Sequence, residues 1–146
     1  MRIEQTPLKD CFIIHEKVHG DARGYFIETY NQRDFKATSG LDIEFVQDNQ
    51  SRSTKGVLRG LHMQRGSSAQ AKLVRVLEGA VLDIAVDLRK GSPSFGQHYA
   101  IELTADNHKQ FFVPAGFAHG FVVLSEAATF FYKVDKFYEP GNEVGI

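Results

Sequence analysis

The sequence predicts a single all-β domain with one short helix. Three observations carry this. At 146 residues the chain has the length of one domain, since a single hydrophobic core commonly organises about 100–150 residues. Short segments of strand character follow one another along the chain, and most gaps between them hold a glycine-centred turn signal. The core composition suits pleated sheets: 12 Phe and 5 Tyr with no Trp, among 42% hydrophobic residues, pack well with β-branched neighbours on a sheet face.

The strand segments run Cys11 to Glu16, Tyr25 to Tyr30, Ile43 to Ser51, Val57 to Met63, Lys72 to Leu77, Val81 to Leu88, His98 to Thr104, Gln110 to Val113, Phe121 to Leu124 and Thr129 to Val134. Between them fall His19-Gly20-Asp21, Ser39-Gly40, Lys55-Gly56, Arg65-Gly66-Ser67-Ser68, Glu78-Gly79, Lys90-Gly91-Ser92-Pro93 and Ala115-Gly116, each able to reverse the chain. The helix is expected after Asn31, a capping residue, with Asp34 three residues on and Gly40 as the stop. No linker divides the chain and no repeat points to a propeller or solenoid. A sandwich, a jelly roll or a closed barrel would each solve the edge-strand problem.

Composition excludes several function classes. Seventeen basic residues face eighteen acidic ones, a net charge of −1, so nothing draws the whole molecule to nucleic acid or an anionic membrane. Any anion site must be local. The single cysteine, Cys11, cannot form an internal disulfide, and no basic start leads into an apolar run, so a cytoplasmic location is expected. The longest uncharged stretch, Phe111 to Ser125, is shorter than the ~20 residues of a spanning helix and is broken by Pro114, Gly116 and Gly120.

Strand alternation shows which residues share a face, and several polar residues fall in register with apolar ones. Glu28 aligns with Phe26 and Tyr30; Gln47 and Asn49 align with Phe45; Lys72 aligns with Val74 and Val76. His119 aligns with Phe121 and Val123, and Tyr132 with Phe130 and Val134. Any one of these alone reads as a solvent-facing residue on a half-exposed sheet. Together they point to a polar cavity inside the barrel, because burying an unpaired lysine or glutamate costs several kcal/mol unless a polar ligand compensates. In Val57 to Gln64, strict alternation puts Arg59 and His62 on opposite faces; a bulge at Gly60 would bring both to one side.

The segment Pro114-Ala115-Gly116-Phe117-Ala118-His119 resembles the second signature of the cupins, and Gly56 followed by His62 resembles the first. This resemblance implies a double-stranded jelly-roll barrel. Metal-binding cupins carry a second His two residues after the first, where this chain has Gln64, and no acid follows in Arg65 to Ser68. His62 and His119 without a carboxylate do not make a usual three-ligand zinc or iron site, so a metal-free barrel is expected.

A closer resemblance covers essentially the whole chain. Phe45 to Ser53, Gly56 to His62, Lys72 to Val76 and Pro114 to Phe121, with Gly20 to Phe26, Tyr132-Lys133 and Tyr138, resemble the dTDP-4-dehydrorhamnose 3,5-epimerase family. The resemblance implies a dTDP-sugar substrate, dTDP-4-dehydro-6-deoxy-glucose, inverted at the two carbons flanking its ketone through an enolate, with no cofactor. Carried over residue by residue, it implies His62 as the base, Tyr132 as the opposing acid and Lys72 as the enolate-stabilising cation. Arg23 and Arg59 would hold the diphosphate. Glu28, Gln47, Asn49, His119 and Glu143 would contact the substrate, and Phe26 and Tyr138 would stack on thymine.

The family orients its base with an acid in a C-terminal segment beyond the pattern that Glu143 to Ile146 matches. The expectation is a single domain over residues 1–146 that lacks this segment, with Asp83 as the alternative orienting acid. Epimerisation at carbon 3 alone, ketosugar isomerisation and non-enzymatic nucleotide-sugar binding are the rival readings. A homodimer is expected from the resemblance, since family members pair through their sheets.

Overall fold

The computed structural model describes residues 1–146. Its strands are β1 (Arg2–Gln5), β2 (Phe12–His15), β3 (Val18–Asp21), β4 (Gly24–Ile27), β5 (Gln47–Thr54), β6 (Leu58–Gln64), β7 (Lys72–Glu78), β8 (Ala80–Asp87), β9 (His98–Thr104), β10 (Lys109–Val113), β11 (Phe117–Val123), β12 (Ala127–Val134) and β13 (Glu143–Gly145); the one α-helix is α1 (Gln32–Ser39). Two antiparallel sheets face each other, ordered β1-β2-β10-β7-β12-β5 and β13-β6-β11-β8-β9. The all-β jelly-roll expectation and the short helix are both met.

The main core fills the space between the sheets. Val74, Val76, Phe111 and Phe130 from one side meet Val81, Leu103, Phe117 and Phe121 from the other, as alternation on two inward faces requires. Phe121 and Phe130 stack at 4.1 Å between centroids. A second cluster lies on the outer face of the six-stranded sheet, where α1 lays Phe35 over Phe12, Leu73 and Phe112. The Asn31 side chain accepts from the N–H groups of Arg33 and Asp34 at the start of α1, and Gly40 ends it at φ 73°, a left-handed stop that glycine adopts without a Cβ clash.

Some expectations are corrected. β1, β3 and β13 were not legible as strands, and β5 begins at Gln47 because Ile43 and Phe45 pack into the second cluster instead. β11 begins at Phe117, earlier than expected, because its pairing with β8 is unbroken from Phe117↔Asp87 to Val123↔Val81. Tyr25 to Tyr30 is not a barrel strand. β4 pairs only with β3, forming a separate two-stranded ribbon whose residues are largely exposed.

Candidate active site

The polar inward faces converge on one chamber between the sheets. Its first lobe, about 340 Å³, is lined by Asn49, Ser51, Arg59, His62, Lys72, His119 and Tyr132 among others. A second lobe of about 310 Å³ shares Asn49, His62, Lys72 and Tyr132 and adds Gln47, Gln64, Gln70, Tyr138 and Glu143. The six-stranded sheet supplies Gln47 and Asn49 from β5, Lys72 from β7 and Tyr132 from β12; the five-stranded sheet supplies Arg59, His62 and Gln64 from β6 and His119 from β11. A larger hollow of about 550 Å³ lies by Thr6, Lys9, Ser39 and Gln97. It holds no histidine, and its Lys9 is paired with Asp10 at 3.2 Å.

The bulge expected at Gly60 is present. Between His119↔His62 and Phe121↔Arg59, β6 advances one residue more than β11, which turns Arg59 and His62 into the same chamber. The site tolerates no side chain: a Cβ on Gly60 would lie 2.5 Å from the His119 carbonyl oxygen, and one on Gly120 would lie 2.6 Å from that of Arg59.

His62 and His119 are direct cross-strand neighbours, but their surroundings differ. His119 is buried and its Nε2 lies 2.8 and 3.0 Å from the two carboxylate oxygens of fully buried Asp83. Asp83, the alternative partner for His62, is therefore committed to His119. His62 is half-buried, and burial, assisted by Lys72 and His119, pushes its pKa below the usual imidazole range, with Glu143 opposing. It is held in the neutral, proton-accepting form.

Tyr132 is shifted the other way. Burial and then Glu143 raise its phenol above the usual value, with Arg59 and Asn49 opposing, so it keeps its proton. Opposite shifts on two groups lining one chamber leave one able to accept a proton and the other able to donate one. Lys72 is 6% exposed; burial lowers its pKa to about 8 against the opposing pull of Asp83 and Glu143. Its Nζ lies 5.9 Å from the Tyr132 ring centroid. It is the buried cation of the chamber, available to a developing oxyanion.

The segment after β12 spans both sheets. The Tyr138 N–H donates to Gln47 Oε1 at 3.3 Å, the Glu139 N–H donates to Gln64 Oε1 at 3.0 Å, and the Tyr138 hydroxyl donates to Glu143. Gln47 sits on β5 and Gln64 on β6, so two side-chain carbonyls suspend Tyr138 at the rim.

Arg23, Phe26 and Glu28 do not reach this chamber. Arg23 pairs with Asp21 of its own ribbon, Phe26 is 68% exposed, and Glu28 is exposed and accepts from Asn31 Nδ2 at 3.2 Å. The expectation that Glu28 lines the barrel interior is thus corrected: β4 ends at Ile27 in a ribbon outside the barrel, so strand alternation does not extend through Glu28 to Tyr30. Residues not singled out from sequence also matter. Ser53 accepts a hydrogen bond from Arg59 Nε at 2.9 Å, fixing the guanidinium, and its place on the inward face of β5 with Gln47 and Asn49 was a usable signal. Gln64 shares the His62 face, at the position where metal-binding cupins carry a second histidine.

The sequence pattern of dTDP-4-dehydrorhamnose 3,5-epimerase matches residues 5–146. The chain is 52% identical over 146 residues to the dTDP-4-dehydrorhamnose 3,5-epimerase of Salmonella typhimurium, covering all of this chain and 80% of that one. The crystal structure of the dTDP-4-dehydrorhamnose 3,5-epimerase from Elizabethkingia anophelis superposes with a TM-score of 0.96 at 57% identity, covering 100% of this chain and 80% of that one. The Legionella pneumophila dTDP-6-deoxy-D-glucose-3,5-epimerase, solved in complex with dTDP-4-keto-L-rhamnose, gives 0.96 at 48% identity, covering 99% and 77%. With the pattern matched along nearly its whole length and half its residues shared, the chain belongs to the dTDP-4-dehydrorhamnose 3,5-epimerase family.

Proposed function

We propose that the protein is an isomerase that inverts carbons 3 and 5 of dTDP-4-dehydro-6-deoxy-glucose, a step of dTDP-L-rhamnose biosynthesis. The observation that carries this is the opposed protonation of His62 and Tyr132 in one chamber beside a buried lysine. The 4-ketone acidifies the hydrogens on both neighbouring carbons. Neutral His62 removes one; Lys72 stabilises the charge that moves onto the ketone oxygen; Tyr132 returns a proton to the opposite face. No net oxidation occurs at any step.

Arg59, held by Ser53, binds the diphosphate, while Gln47, Asn49, His119, Tyr138 and Glu143 contact the rest of the substrate. Arg23, Phe26 and Glu28 act from a second copy of the chain. Their ribbon is exposed and off its own chamber, and β5 is an edge strand able to accept a partner. A homodimer in which each ribbon completes the other subunit's site accounts for both facts. Asp83 is engaged by His119 and is not available to orient His62. A cytoplasmic location fits a buried, unpaired Cys11 and the lack of any helix long and apolar enough to cross a membrane.

The test is His62→Ala. Turnover is expected to disappear while dTDP binding persists; unchanged turnover would remove His62 as the base.

A further inference from the structure

A side-chain amide has one accepting end and one donating end, so a fixed partner at one end decides what the other end offers. On the inward face of β5 two amides stand in series. The Tyr138 backbone N–H can only donate, and it holds Gln47 by Oε1 at 3.3 Å. The other end of Gln47 is therefore a donor, and its Nε2 meets Asn49 Oδ1 at 2.9 Å. Polarity passes along the pair, and Asn49 is left with Nδ2, a donor, as its remaining end. Asn49 stands directly opposite Tyr132 in the β5–β12 pairing, where side chains share a face, and both residues line both lobes of the chamber.

We propose that Gln47 and Asn49 are positioning residues for the acid: the Asn49 amide donates to the Tyr132 hydroxyl oxygen, which leaves the phenol proton to point into the chamber. This assignment rests on the epimerase reading of Tyr132. Burial and Glu143 raise the phenol's pKa, and Asn49 joins Arg59 in countering them by hydrogen bonding to it, which is the action of a donor on the charged form. Without Gln47 the Asn49 amide would be free to turn end for end and offer Oδ1. The phenol would then give its proton to β5 and not to the sugar. Because the series begins at the Tyr138 N–H, the segment that crosses the rim also sets the direction of the acid.

A misdirected acid leaves the base at work, so the experiment separates proton removal from inversion. In deuterium oxide His62 still takes a proton and returns solvent hydrogen to the same face, which labels recovered substrate without inverting it. Asn49→Leu keeps the bulk and removes both polar ends. It is expected to cut formation of inverted product about tenfold or more while label in recovered substrate falls less than about threefold, since a positioned acid contributes to one step only. Gln47→Glu offers only acceptors, so it draws Asn49 Nδ2 to itself and turns Oδ1 toward the phenol; the same split is expected. An equal fall in label and inversion would make Asn49 a substrate contact alone, and unchanged inversion would make Tyr132 independent of it; either overturns the proposal. If Asn49→Leu does not fold, Asn49→Ala carries the same expectations. The substrate-free protein gives a second readout, the carbon-13 resonance of the Tyr132 Cζ, assigned with Tyr132→Phe. It is expected to move in both the Asn49 and the Gln47 variants, and an unmoved resonance in a folded variant overturns the proposal. Absence of turnover by the wild-type chain would overturn the epimerase reading, while this resonance still decides whether Asn49 donates to Tyr132.

Discussion

Asp83 on β8 and His119 on β11 form a buried pair, Nε2 to Oδ1 at 2.8 Å, beneath the chamber. Asp83 thereby serves two groups: it anchors the His119 ring and partly offsets the cost of burying Lys72. Asp83→Asn weakens the hydrogen-bond partner of the buried His119 ring and removes the counter-charge of Lys72. Weakening a buried hydrogen bond of this kind costs about 1–3 kcal/mol, and Lys72 loses its proton more readily. Urea melts are expected to show the loss, and the alkaline limb of the pH–rate profile is expected to move to lower pH. An unmoved limb would show that Asp83 does not act on Lys72.

The pH dependence of the wild-type protein follows from two directions of shift. Lys72 titrates near 8, so enolate stabilisation by its ammonium is expected to fade as pH rises through about 8. His62 titrates below 6.5, so the base stays neutral until the pH falls below that value. Rate measured from pH 5 to 10 should therefore form a bell with its alkaline limb near 8.

Lys72 also has a stability signature. Its pKa is lower in the fold than the unfolded value of 10.5, so between about pH 8 and 10.5 the unfolded chain binds more protons and stability rises with pH. Below pH 8 the buried cation costs the fold about 3 kcal/mol by the same linkage. Lys72→Met is expected to be inactive yet more stable at pH 7 and to lose this rise at alkaline pH, as thermal melts at pH 7 and 10 would show.

Much of the site was legible in the alternation of strands. Period-two reading of β5, β7 and β12 placed Gln47, Asn49, Lys72 and Tyr132 inward, and the glycine at position 60 announced the bulge that rescues Arg59 and His62 from opposite faces. The helix limits at Asn31 and Gly40 were readable because capping is a local interaction. Other features were not. β1, β3 and β13 carry few apolar residues, so their pairing is decided by tertiary neighbours. Glu28 falls past the end of β4, where alternation no longer reports a face. The Asp83–His119 bond joins residues 36 apart in sequence, beyond the reach of any local pattern.

The Gly60–Gly120 crossing is expected to be intolerant. Gly60→Ala would drive a methyl group to 2.5 Å from a backbone oxygen, and relief requires β6 to move away from β11. A destabilisation of about 1–3 kcal/mol is expected, together with a fall in kcat larger than the change in dTDP affinity, since the shift displaces His62. A fully active Gly60→Ala would show that the bulge does not position the base.

The shared site has a mixing test. Chains carrying His62→Ala and chains carrying both Arg23→Ala and Phe26→Ala are each expected to turn over poorly. Refolded together, half the dimers are mixed and each of these holds one intact site, so about a quarter of wild-type activity should return. No recovery would place the ribbon's residues outside the partner's site.

The central claim is that an imidazole and a phenol exchange protons with the two carbons beside a ketone. Turnover in deuterium oxide, read by mass spectrometry and NMR of the product, tests it most directly. The account expects solvent deuterium at both carbon 3 and carbon 5, inverted in the wild-type product and absent with His62→Ala. Label at carbon 3 alone, or full label in the His62→Ala protein, would contradict it.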